Sequence, residues 1–337
     1  MTWKKFLCSK INEHRFRFNG LIESTRLPHK QCLRQKFDNI LKYSPNDLPS
    51  KVDLREEMTA VEDQSQIGSC SANALAENHS SYEYLIKKHT GRNEDVSRLF
   101  IYYNSRAQDD LSAAVSDTGC SMTHAIEALD EHGACRESQW QYDITKVNQR
   151  PPPPAYTEAK NFTIDEALQV KIDLFEMKSC IAQGFPFAFG IKLFQSFDKA
   201  RANGAVPMPS SSDTSRSSHG KHALLAVGYS DTSRAFIVRN SWGERWGDQG
   251  YCYIPYDYMT NSDYCFDAWA IRKLDSDDLG SDHWDNNDEV NYRSNEQEQD
   301  EDDDGQADIE EYEENDDDDR GGEGGRDPSS QSDNQDG

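Results

Sequence analysis

Apolar and small residues recur at helical spacing in "SCSANALAENHSSYEYLIKKH" (Ala74, Leu75, Asn78, Tyr82, Leu85, Ile86), which predicts a helix from about Ser69 to His89. "RLFIYYNSRA" and "SMTHAIEALDEHG" read as two further helices, the second stopped by Gly133. Upstream, "CLRQKFDNILKY" predicts a short amphipathic helix, and "RPPPPAY" at 150–156 a stiff extended connector. One more helix is expected around "IDLFEMKSCIAQG". Beyond it the pattern changes to short aromatic and β-branched runs set apart by Gly, Asp and Ser: "FPFAFGIKLF", "HALLAVGYS", "AFIVRNSWG", "GYCYIPYDYM" and "CFDAWAIRKL". A helical half followed by a β half predicts an α+β fold with a cleft between two lobes.

Charge divides the chain differently. Residues 275–337 carry 27 acidic against 3 basic side chains, whereas the first 274 carry 34 against 33, so the formal net charge of −25 belongs almost wholly to the tail. Such a tail, almost free of aliphatic residues, is expected to be disordered and to attract basic proteins or loosely held cations. A near-neutral body lacks the clustered Lys and Arg that phosphate binding needs, so no nucleic acid is expected as a partner. No run approaches a membrane span, and "MTWKKFLCSK" lacks the apolar core of a secretory signal. Eight thinly spread cysteines do not form a disulfide framework; a reducing, cytoplasmic setting is the expectation. The boundaries implied are an N-terminal extension or short prosegment over 1–48, a folded domain over 49–274 and the acidic tail over 275–337.

The chemistry centres on "DQSQIGSCSANALAE". A thiol is a strong nucleophile only as thiolate, and Cys70 stands at the start of the predicted helix, where unpaired N–H groups favour an anion. A thiolate needs a proton acceptor that becomes its cationic partner, normally a histidine oriented by a third group. His222 opens the strand "HALLAVGYS", and Asn240 ends "AFIVRN". Adjacent strands bring two such side chains to one end of a sheet. His219 is a rival base, ranked lower because no apolar strand follows it directly.

These segments resemble the papain-like cysteine peptidases: "DQSQIGSC", "HALLAVGY" and "RNSWGERWGDQGY" match from about Leu48 to Leu274. The resemblance implies a two-lobed fold, helical N-terminal lobe and antiparallel β-barrel-like C-terminal lobe, with the active site between them. It also implies Cys70 as nucleophile, His222 as its imidazolium partner and Asn240 as the residue orienting the imidazole. Gln64 would join the Cys70 backbone N–H in the oxyanion hole, and Trp242 would shield the His–Asn hydrogen bond. The substrate would be a protein or peptide, with no cofactor and no metal. "VDLREEMTAVEDQ", "RLFIYYNSR", "GACRESQWQYD" and "GYCYIPYDYM" fit the short-prosegment branch of bacteria and large DNA viruses. Departures are Ile67 where the family has a disulfide cysteine, Ser71 where an aromatic follows the nucleophile, and Ser121 and Met122 in place of cleft-lining glycines. The separations of 152 residues to His222 and 170 to Asn240 exceed the family's ~130–150, partly through the insert "SSSDTSRSSHGK".

Two rival functions fit the same sequence: a catalytically silent papain-like interaction module with a polyanionic tail, and an acyl-transferring transamidase. Two metal patterns are outweighed. Cys120, His124, His132 and Cys135 could hold zinc, but three of them stack on one helical face, whereas structural zinc draws ligands from separate knuckles. "DEDDDGQADIEE" matches a calcium-loop pattern at Asp300, Asp302, Asp304, Gly305 and Glu311 but lacks flanking amphipathic helices.

Overall fold

A computed structural model describes residues 5–11, 14–76, 95–108, 114–214, 219–272, 283–293 and 309–313. Its principal helices are α1 (Cys70–Ala76), α2 (Arg98–Ala107), α3 (Met122–Glu131), α4 (Pro153–Ala159) and α5 (Leu174–Ala182). Three open on a side-chain cap: Ser97 accepts from Phe100 N–H, Ser121 from His124 N–H and Asp173 from Glu176 N–H, each satisfying one donor left free in the first turn. Gly133 follows α3 at φ +72°, the left-handed conformation that ends a helix at little cost to glycine. Beyond Ala76, the predicted continuation to His89 lies outside the described residues.

The β half is a mixed sheet in which antiparallel pairing dominates. Its strands are β3 (Gln35–Lys36), β4 (Lys51–Asp53), β5 (Glu166–Gln169), β6 (Phe187–Leu193), β7 (Gly220–Ser230), β8 (Ala235–Arg239), β9 (Tyr251–Pro255), β10 (Cys265–Arg272) and β11 (Trp284–Asp285). The order is β11-β4-β7-β6-β10-β5-β3, with β8 added on β7 and β9 on β8. Strand β7 is the spine. It pairs with β6 at Ile191↔His222 and with β8 at Leu225↔Arg239, which places His222 and the residue after Arg239 toward the same end of the sheet. Phe187, Phe189, Leu225, Phe236 and Ile237 are fully buried around this spine, each contributing about 1.5–3 kcal/mol of burial. Helix α1 packs against β7 and against α2 and α3, so it belongs to both lobes.

Two readings of the sequence need correction. "CLRQKFDNILKY" forms two 3₁₀ turns, Gln31–Arg34 and Phe37–Ile40, separated by β3 rather than one helix. Gln35 pairs in parallel with Leu168 of β5, and this pairing interrupts the helical run. "RPPPPAY" is extended only as far as Pro152. Pro153 opens α4, where a missing N–H costs nothing because the first turn has no intrahelical acceptor for it.

The termini also differ from the boundaries drawn above. Leu33 and Phe37 are fully buried in the core, so packing does not begin at 49. The disorder expected from 275 onward does not hold for residues 283–293. Trp284 donates to Ala182 O at 2.8 Å, Asp288 accepts from Ser230 Oγ and Thr232 N–H, and Tyr292 stacks on Tyr253 at 4.0 Å. A separate three-stranded sheet pairs Lys5–Ile11 (β1) with His14–Arg17 (β2) and with Ile309–Glu313 (β12), all antiparallel. Most of the calcium-loop pattern lies outside the described residues. Among the described residues no group of three or more metal-ligating side chains converges, and no helix is long and apolar enough to cross a membrane.

Candidate active site

Cys70 is the first residue of α1, and its thiol lies against the backbone N–H of Ala223, the residue after His222. The helix start and the head of β7 therefore meet at the sulfur. His222 Nε2 lies 2.9 Å from Asn240 Oδ1, and that same oxygen accepts from Ser241 N–H at 2.8 Å. The Ser241 contact identifies the atom as oxygen, so Nε2 carries the proton and donates it. Nδ1 is then the basic nitrogen of the neutral ring; it is buried and, among the described residues, has no hydrogen-bond partner. The Trp242 ring stacks on the imidazole at 4.8 Å and 25°, and Phe197 and Trp246 pack edge-on to the indole.

Gln64 is held from several sides. Its backbone N–H donates to Ser241 O at 2.8 Å, its Oε1 accepts from Ser241 Oγ at 2.6 Å, and its Nε2 donates to Ile67 O at 3.1 Å. With both amide ends fixed, only the second Nε2 hydrogen remains to point elsewhere. The Gln64 carbonyl accepts from Tyr142 OH at 2.9 Å, and that hydroxyl also meets Ser69 Oγ at 2.6 Å. Asn73 Nδ2 reaches both Ser69 O and Ser69 Oγ at 2.8 Å. The loop ahead of Cys70 is thus tied to the asparagine segment through Ser241 and to the helical lobe through Tyr142.

The structure brings Cys70, His222, Asn240, Gln64 and Trp242 together. His219 is not part of this group: its Nε2 sits 3.6 Å from Asp198 and its ring lies on Phe18. Sequence reasoning gave no role to Ser241 or Tyr142, although both lie inside segments that carried the resemblance. It gave residues 1–48 only as an extension or short prosegment and placed no part of them across the cleft. Cys70, His222 and Gln64 are each 0 % exposed, and residues 16–22 run across the neighbouring Trp242, Gly68, Cys120 and Lys221. Phe16 and Phe18 both pack on Trp242 with centroids 5.3 Å away. Gly20 presses so closely on Gly68 that a Cβ there would stand 2.8 Å from the Gly68 backbone. Backbone bonds fasten this strap to both lobes: Cys120 N–H to Gly20 O at 3.1 Å, Ile22 N–H to Cys120 O at 3.1 Å, and Leu21 N–H to Lys221 O at 3.3 Å. Farther along, Arg26 forms a bidentate pair with Glu127, and Lys30 pairs with Asp130.

Burial sets the protonation states. The Cys70 thiol is pushed up to about 12, chiefly by loss of water and only partly offset by the Ala223 N–H. His222 is lowered to about 4 by the same loss of water, against the opposing Asn240 hydrogen bond. A neutral thiol beside a neutral imidazole is the resting pair.

A model of the papain family of cysteine proteases matches residues 48–266. This chain belongs to that family. An uncharacterized peptidase C1-like protein of Acanthamoeba polyphaga mimivirus is 35% identical over 240 residues, which is 68% of this chain and 74% of that protein. Human cathepsin L2 is 26% identical over 224 residues, 63% of this chain and 62% of its own length. Among solved structures, xylellain, a cysteine protease from Xylella fastidiosa, superimposes with a TM-score of 0.63 at 31% identity, covering 76% of this chain and 96% of that one. The protein is a papain-like cysteine peptidase of the α+β class, and its substrates are proteins or peptides.

Proposed function

We propose that this peptidase cleaves through a Cys70–His222–Asn240 site and a thioester intermediate, and that residues 16–30 hold it latent. In the open form His222 Nδ1 takes the Cys70 proton, and the thiolate attacks the scissile carbonyl. The tetrahedral oxyanion is met by the Cys70 backbone N–H and the free hydrogen of Gln64 Nε2. The imidazolium then protonates the leaving amine. Water, deprotonated by the same nitrogen, attacks the thioester carbonyl and releases the acid, with the thiolate leaving. Asn240 keeps the ring in the required tautomer, and Trp242 excludes water from that hydrogen bond. The observations that support the reading are that His222 Nε2 is committed to Asn240, that Nδ1 has no hydrogen-bond partner among the described residues, and that the Cys70 thiol lies against the N–H of the next residue, Ala223.

The strap explains how a chain with such a site stays quiescent. Both reactive groups are neutral while it is in place, and no substrate can reach the sulfur. Cleavage of an unfolded protein by the full-length Phe16→Ser/Phe18→Ser chain, compared with the same chain also carrying Cys70→Ala, tests the reading. Thiol-dependent cleavage lost with Cys70 supports it, and equal cleavage by both chains would sink it. Mass analysis of products formed with an added amine separates hydrolysis from transamidation.

A further inference from the structure

Beside Gly68, two residues before Cys70, the strap inserts one cation. The Arg17 side chain is 3% exposed, and Asp117 accepts its Nη1 through Oδ2 at 2.7 Å and through its main-chain O at 3.1 Å. Gly68 leaves the room: a Cβ there would stand 3.0 Å from the Arg17 guanidinium carbon. Arg17 does not itself build this carboxylate site. Asp117 Oδ1 is fixed independently by Gly68 N–H at 2.9 Å and by the hydroxyl of fully buried Tyr102, which in turn accepts from Gly119 N–H at 2.9 Å. Oδ2 is left to whatever occupies the cleft at this point. The guanidinium is close enough to Cys70 that its positive charge favours the thiolate.

We infer that Asp117 forms a guanidinium-binding subsite of the substrate cleft, selecting arginine at the acyl-side residue next to the scissile bond, and that Arg17 fills this subsite in the closed form. The inference rests on the peptidase reading of Cys70. Three features point to arginine rather than to cations in general. One nitrogen of the planar group serves both the carboxylate and the Asp117 carbonyl, the floor is a bare glycine, and the site is nearly closed to water, where a charge-assisted hydrogen bond is strongest. The strap's neighbouring residues already use the backbone bonds of Cys120 and Lys221, so a peptide replacing it would enter a cleft with the same rails.

The test uses the full-length Phe16→Ser/Phe18→Ser chain and fluorogenic peptides that differ only in carrying arginine or citrulline before the scissile bond. Citrulline keeps the shape and removes the charge. The expected ratio of kcat/KM, arginine over citrulline, is about 10- to 100-fold, the range for a hydrogen bond to a charged partner. Asp117→Asn keeps an acceptor for Gly68 and Tyr102, and it should bring the ratio close to one. A ratio near one in the parent, or an Asp117→Asn chain that loses both substrates equally, overturns the subsite. Should that variant fail to fold, competition in the parent decides: an alkylguanidine should inhibit at least tenfold better than the matching alkylurea, and equal inhibition refutes the assignment. If no peptide is cut and Cys70 is alkylated no faster than the partly exposed Cys32, the peptidase reading has failed and this inference falls with it. Cleavage without arginine preference refutes the inference alone.

Discussion

Two segments from opposite ends of the chain wrap the same body with similar means. Residues 16–30 bring two phenylalanines, a buried arginine and backbone bonds to the mouth of the cleft. Residues 283–293 bring a tryptophan, a tyrosine and an aspartate to β4, β7 and β9 on the sheet. The first lies against Trp242 and Gly68, next to the groups proposed for chemistry; the second packs on Ala182, Ser230 and Tyr253. Their difference teaches that a segment's contribution is set by what it covers rather than by how firmly it packs. Loosening the first should release activity, while loosening the second should only lower stability.

The largest contrast comes from the aromatic pair. Truncating a buried phenylalanine costs about 3–5 kcal/mol, so Phe16→Ser/Phe18→Ser should speed cleavage by three orders of magnitude or more. Trp284→Ala and Tyr292→Ala should leave turnover unchanged. Steady-state rates on one unfolded substrate make the comparison. Within the opened chain, Gln64→Ala should lower kcat by about 10²–10³-fold, the cost of one oxyanion donor. An equal loss through KM alone would contradict the role given to Gln64.

Acid should distinguish the segments next. His222 sits at about 4 when covered, below its ordinary 6.5. A depressed histidine favours the covered state above pH 6.5, and that contribution is lost as pH falls toward 4. Glu127 acts in the same direction: burial opposes its charge, but Arg26 and the His29 N–H hold it below the usual carboxylate range, and protonation weakens those bonds. Full-length protein held at pH 4.5 and assayed at once near neutrality should therefore show a burst of activity that decays as the strap recloses. The absence of any burst would remove the electrostatic part of latency. The smallest effect belongs to the tail. A chain ending at Leu274 should retain cleavage once opened, yet melt below one ending at Arg293, which keeps the Trp284 and Tyr292 contacts.

Much of the fold, and most of the proposed site, could be read from local pattern. Helices α2 and α3 follow from periodicity, their Ser97 and Ser121 caps and Gly133, all information carried within one window of sequence. Cys70, His222 and Asn240, the residues proposed to act, each sit in a distinctive local context. The strap was not, since its contacts lie with Gly68, Asp117, Cys120, Lys221 and Trp242, far off in the chain, and nothing periodic marks residues 16–22. The same reason explains the failed helix near Gln35, where a partner in β5 decided the conformation. Tyr142 escaped notice because its hydroxyl matters only once its own segment and the distant Gln64–Ser69 loop have come together.

The most direct measurement is the rate at which iodoacetamide modifies each cysteine near neutral pH, followed by mass spectrometry in the full-length and Phe16→Ser/Phe18→Ser chains. Cys70 should be slow in the first and far faster than Cys32 in the second, and the gain should vanish when His222→Ala is added. Cys70 reacting no faster than Cys32 in the opened chain, or reacting equally fast without His222, would contradict the account.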